Sequence, residues 1–169
     1  MKFKVFFFLA ALAAGANVAR AEDPVSLGAF EDWEAFLYHS EGAPVCYVLS
    51  APKKSDADKK IAHRDPVYFM VTHFTGRKVK GQISTIIGYP FKEQSTVALK
   101  VDGQAFELYT SGDAAWAASA DVEANVLKAM KTARSLTVNG TSVRGTQTTD
   151  TYSMTGFNKA MEKIDMSCK

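Results

Sequence analysis

Apolar and polar positions alternate along much of this chain with a period of two, the pattern of strands that bury one face. Phe30 to Tyr38 sets Trp33, Ala35 and Leu37 on one side and Asp32 and Glu34 on the other. The turn-forming stretch His39 to Pro44 follows, and Val45 to Ser50 returns, which predicts a hairpin. Residues 22–29, with Pro24 and Gly28, read as a flexible lead-in. Pro52 to Asp65 reads as a polar loop. Val67 to Thr72 and Ile83 to Tyr89, joined by a polar link from Thr75 to Gln82, are β-branched and aromatic and suit buried strands. Pro90 ends the second of them. Thr96–Val101 and Ala105–Thr110 flank Asp102-Gly103, the pair that a two-residue hairpin turn with positive φ requires.

Helical spacing shows at two places. Val122, Val126, Leu127 and Met130 predict a helix over Val122 to Lys131, capped by Ser119 or Asp121. Phe157, Ala160, Met161, Ile164 and Cys168 share one face of a second, from about Gly156 to Ser167, with Thr155 as cap. Between them Ser135 to Val138 reads as a strand, Asn139-Gly140 as a turn, and Thr141 to Tyr152 as one long or bent strand with a bulge at Gly145. The fold class expected is mainly β: an antiparallel sandwich or barrel-like domain with two short packed helices, the second C-terminal.

The amino terminus is a different kind of segment. Met1-Lys2-Phe3-Lys4 is basic, Val5 to Ala14 is apolar, and Ala19-Arg20-Ala21 is small-x-small. That order predicts a secretory signal cleaved after Ala21, with residues 22–169 as a single mature domain. The apolar run falls short of the ~20 residues that cross a bilayer, so the mature form is expected to have no transmembrane span. Losing Lys2, Lys4 and Arg20 takes 20 basic side chains to 17, against 18 acidic ones, and the net charge from +2 to −1. A near-neutral domain has no electrostatic footprint for nucleic acid.

Export also bears on Cys46 and Cys168, the two cysteines of the chain. An oxidising compartment favours a disulfide between them. The stripe on the last helix points Cys168 towards the sheet, and closing so long a loop stabilises by roughly 3–5 kcal/mol in the chain-entropy model. The alternative is a pair of free thiols. Without a C-x-x-C, thiol redox catalysis has no support.

Three ordered strings carry a family resemblance: Ile87 to Lys92; Phe106 to Thr110 followed by Gly112 to Ala117; and Gly140 to Thr146 followed by Thr149 to Phe157, ending at Cys168. Together they resemble the invasion-associated locus B family of exported Gram-negative bacterial proteins, over nearly the whole mature chain. The resemblance implies a periplasmic or outer-envelope β protein, brings no catalytic residues, and carries an association with host-cell invasion in its name.

Candidate chemistry is sparse. His39, His63 and His73 lack the spacing of a zinc site; a loose metal set from His63, Asp65 and His73 is the nearest arrangement, weaker than the reading of loop histidines. No G-x-S-x-G is present, and no metal or cofactor is called for. The most suggestive surface is Arg144, Asp150 and Tyr152, which a curved strand would bring together as a site for a small polar ligand, Arg144 pairing an anion. The structural alternative is an Arg144–Asp150 ion pair that fixes the bend. Trp116, after Gly112-Asp113, is read as core. The functional expectation is a non-enzymatic envelope protein that binds another envelope protein or a small polar ligand through an exposed face. The alternatives are an enzyme acting on envelope material and a host-cell invasion factor.

Overall fold

The computed structural model describes residues 23–169. The expected signal segment and its cleavage point after Ala21 lie outside them. Eleven strands form one antiparallel sheet: β1 Val25–Phe30, β2 Trp33–Ser40, β3 Ala43–Ser50, β4 Lys54–Ala57, β5 Tyr68–Phe74, β6 Val79–Ile86, β7 Thr96–Val101, β8 Gln104–Ser111, β9 Ala114–Ala117, β10 Ser135–Thr141 and β11 Gln147–Ser153. Two helices, α1 Ala120–Met130 and α2 Phe157–Ser167, complete it. The order across the sheet is β1-β2-β3-β5-β6-β9-β8-β7-β10-β11-β4. The terminal strands β1 and β4 do not pair with each other, so the sheet is open rather than closed as a barrel.

Most of the pattern drawn from sequence is met. Asp102 and Gly103 take φ values of 43° and 90° between β7 and β8. The Asp102 carboxylate also accepts from the amides of Arg134 and Ser135, at 2.9 and 3.0 Å, which fixes the start of β10. Ser119 caps α1, its side chain accepting from Val122 N–H.

Four differences have local causes. The lead-in contains β1, which pairs with β2 across a bulge at Ser26/Gly28 and packs Leu27 and Phe30 on the core; the bulge breaks the alternation that would have revealed it. The polar loop contains β4, four exposed residues held by hydrogen bonds to β11. Asn139-Gly140 lies inside β10, and the stretch read as one long strand turns back at Ser142–Thr146, where Ser142 Oγ accepts from Thr146 N–H at 3.1 Å and Gly145 takes φ 75°. At α2 the cap is Gly156, φ 90°, in place of Thr155. A Cβ at Gly156 would lie 1.8 Å from Phe30 O, so the chain crosses there too closely for any other residue.

The core lies on the inner face. Trp33 is its centre, with ring centroids 4.8 Å from Phe157 of α2 and 6.5 Å from Phe69 of β5; its indole N–H donates to Ser153 O at 3.0 Å. Cys46 on β3 and Cys168 just beyond α2 form the disulfide, Cα atoms 5.9 Å apart. Phe157, Ala160, Met161 and Ile164 of α2 are buried along the same face. α1 packs Val126 and Met130 into the other end of the core.

Candidate functional site

Of the three residues that suggested a ligand site, only Arg144 is at the surface. Tyr152 is fully buried against Phe69, ring centroids 5.9 Å apart, and burial, with the Asp150 charge adding, pushes its pKa up. Asp150 is also fully buried. Its partner is Arg64, not Arg144: two guanidinium N–H groups reach its two carboxylate oxygens at 2.8 and 2.6 Å. Ser55 Oγ of β4 donates to Oδ1 at 2.7 Å, and Arg64 Nε–H donates to Ile87 O at 2.8 Å. The expected Arg144–Asp150 pair that would fix the bend is absent; Asp150 pairs with a different arginine. That pair pins the loop after β4 to β11, and Arg144 is left free to face solvent.

Arg64 lies 5.2 Å from the centroid of the Tyr89 ring. Tyr89 Oη is hydrogen-bonded to Thr148 Oγ1 at 2.6 Å. The segment Gly88–Pro90 is held on both sides: Asp65 N–H donates to Gly88 O at 3.0 Å, and Val143 N–H to Pro90 O at 2.9 Å. Gly88 has φ 71°, and a Cβ there would lie 2.1 Å from Asp65 O, so the close approach of the loop needs glycine. Loop 60–65, segment 88–90 and turn 142–146 line a cleft of about 450 Å³. Its apolar surface comes from Ile61, Tyr89, Pro90 and Val143, its charges from Lys60, His63, Asp65 and Arg144. Lys59 Nζ donates to Gly145 O at 3.1 Å across one end.

The histidines do not converge. His63 lies 3.0 Å from Asp65, both exposed, at the cleft. His73 is buried on another part of the sheet. Its Nδ1 accepts from Gly81 N–H at 3.0 Å, so Nε2 carries the ring proton and faces Asp165 at 3.1 Å. Lys80 Nζ reaches the same Asp165 oxygen at 2.9 Å. Burial raises the Asp165 pKa, but the hydrogen bonds from Lys80 and His73 outweigh it and hold the carboxyl below its ordinary value. Among the described residues no three His, Cys, Asp or Glu side chains form a metal cluster.

The residues of a second surface were not singled out in the sequence. Trp116, read as core, stands on the outer face of β9, stacked on Tyr109 of β8 with centroids 5.6 Å apart. The strand registers continue this face: Trp116 opposes Ser84, Ser84 opposes Met70, Met70 opposes Leu49, and Tyr47 opposes both Thr72 and Phe36. Phe36 and Tyr47 stack at 5.2 Å, and Tyr38 meets Tyr47 edge-on at 6.1 Å. Phe36, Tyr38, Tyr47, Leu49, Met70, Ile86 and Trp116 are all part-exposed and Tyr109 is 50 % exposed. Both helices pack on the opposite, inner side. Five strand spacings of about 4.8 Å make this aromatic face roughly 24 Å wide.

Two sequence signals pointed at these features. Thr148, Asp150 and Tyr152 alternate, so an inward Tyr152 takes Asp150 inward and demands a cation. Phe36, Tyr38 and Tyr47 fall on the face opposite Trp33 and Cys46. Nothing in the polar loop distinguished Arg64 from its neighbours.

A family model described as Invasion associated locus B (IalB) protein matches residues 33–165. The crystal structure of invasion associated protein B from Bartonella henselae superposes with a TM-score of 0.57 at 15 % identity, covering 85 % of this chain and 97 % of that one. At that identity the likeness is one of fold. No curated protein matches by sequence.

Proposed function

This chain belongs to the invasion associated locus B family, and from that premise we propose that it is an exported, non-enzymatic protein of the bacterial envelope that docks a partner envelope protein on its outer aromatic face. Export is supported by the basic, apolar, small-x-small order of residues 1–21, which would leave Glu22 as the first residue of a single mature domain. It is supported again by the Cys46–Cys168 disulfide, a bond that belongs to oxidising compartments. No helix among the described residues is long and apolar enough to cross a membrane.

The observation that carries the docking role is the aromatic face itself. A strand residue on a solvated face is ordinarily polar; here six neighbouring strands set out Phe, Tyr, Trp, Leu, Met and Ile. A contiguous apolar patch of several hundred Å² marks an interaction surface. Tyr and Trp are the residues that concentrate binding energy in protein interfaces. The Tyr47–Phe36 and Tyr109–Trp116 pairs supply two rigid anchors at either side of it.

The test is crosslinking in intact cells, comparing wild type with a Tyr47→Ser/Tyr109→Ser variant of unchanged circular dichroism. A specific envelope protein captured by wild type and lost by the variant is expected. Capture of the same proteins by both would remove the docking role. Fractionation checks export separately: the protein recovered from the periplasm should begin at Glu22.

A further inference from the structure

We propose that the cleft between loop 60–65, segment 88–90 and turn 142–146 is a binding site for a small organic anion, a carboxylate or phosphate carried on a compact apolar body. This site is distinct from the aromatic face and does not depend on it.

The charge at the mouth is one-sided. Lys59, Lys60 and Arg144 bring three cations and Asp65 one carboxylate, which already has His63 at 3.0 Å. Among the described residues Lys60 and Arg144 make no ion pair. Arg64, the cation nearest the interior, already has its charge paired, because two of its N–H groups reach the Asp150 carboxylate and its Nε–H donates to Ile87 O. The free positive charge therefore belongs to the rim, where an incoming anion meets it. Arg144 presents a planar fork suited to carboxylate or phosphate.

Apolar surface lies beside that charge. Ile61, Tyr89, Pro90 and Val143 line the cleft, and Val143 is 60 % exposed although it is β-branched and apolar. A bare inorganic anion would leave this surface wet. A ring or short acyl chain would cover it while its charged end reached Arg144 and Lys60. The volume of about 450 Å³ lies within the range of small-molecule sites.

The cleft is built before any ligand arrives. Gly88 lets Asp65 approach, the Asp65 and Val143 amides tie both walls to segment 88–90, and Lys59 bridges to the turn. The buried Arg64–Asp150 pair anchors the loop from behind. Preformed walls reduce the ordering cost of binding.

The experiment is a titration of the ¹⁵N-labelled protein with phenyl phosphate and with octanoate, followed by amide chemical shifts. Benzyl alcohol serves as a neutral control, and vesicles with and without anionic lipid form a separate arm. The expected result is saturable shifts confined to residues 60–65, 88–90 and 142–146, with Kd rising as salt is added. Arg144→Ser and Lys60→Ser, both at exposed positions, should each weaken binding about tenfold, a loss typical of one charge-assisted hydrogen bond. Val143→Asp should abolish it. Absence of shifts up to roughly 10 mM of either acid, equal binding of benzyl alcohol, or unchanged affinity in all three variants would each overturn the site. Binding to anionic vesicles without any response to the free acids would overturn it too, by assigning the basic rim to a membrane surface.

Discussion

Replacing Arg64 by Met removes the partner of a carboxylate with no access to water. In the native protein Asp150 accepts two hydrogen bonds from Arg64 and one from Ser55. After the substitution only Ser55 remains, and the charge is left uncompensated inside the fold. Breaking a buried pair from one side costs about 3–5 kcal/mol. For a domain of this length each kcal/mol moves Tm by about 2–4 °C, so a fall of roughly 6–20 °C is expected. Removing both charges is a different perturbation. In an Arg64→Met/Asp150→Leu variant nothing charged stays buried, and the desolvation cost of the pair vanishes with it. That variant should regain most of the loss, because well-packed apolar replacements of buried pairs are close to neutral. Urea denaturation of wild type, both single variants and the double gives the coupling energy directly. The reasoning fails if Arg64→Met lies within about 0.5 kcal/mol of wild type, or if the double variant is no more stable than the weaker single.

Three further outcomes are expected. Replacing Cys46 and Cys168 together by Ala reopens a loop of sequence separation 122, for which the chain-entropy model gives a loss of up to about 5 kcal/mol; denaturant midpoints measure it, and thiol labelling of the unfolded wild type should find no free sulfhydryl. Gly88→Ala should destabilise by more than about 2 kcal/mol and detach loop 60–65, whereas Gly103→Ala, also at positive φ but with open space around its Cβ, should cost about 1 kcal/mol; equal effects would dismiss the Asp65 contact as the cause. Asp165 has a folded-state pKa below its unfolded value, so its contribution is complete above the ordinary carboxylate pKa of about 4 and disappears as pH falls through the lower folded value. Asp165→Asn should therefore flatten the acid side of the stability–pH curve, and an unchanged acid slope would remove Lys80 and His73 as its stabilising partners.

Sequence patterning served best where a strand has one buried face and a turn has special backbone needs. Thr96 to Ser111 shows both, and Asp102-Gly103 located its hairpin to the residue. It served least where strands pair without burying anything: β4 is made of exposed Lys54, Ser55, Asp56 and Ala57 and exists because β11 offers it an edge. The stretch Thr141 to Tyr152 misled because Thr and Ser suit both a strand and a turn, so the reversal at Ser142–Thr146 left no mark. The terminal helix and its disulfide were legible together, since Phe157, Ala160, Met161, Ile164 and Cys168 follow one stripe. At the cleft Arg144 was visible as the arginine of a candidate polar site. Its supposed partner was not its own, because a choice between two arginines 80 positions apart in the chain depends on how the polar loop returns, and no local preference encodes that path.

The bond at Cys168 also gives manufacture an order. A chain that emerges amino end first presents Cys46 early, with no thiol other than that of Cys168 in the sequence to pair with it. Its mate follows 122 positions later. Any product halted before Cys168 keeps a lone thiol and lacks this covalent fastening, so passage of synthesis through α2 is recorded chemically in the folded molecule.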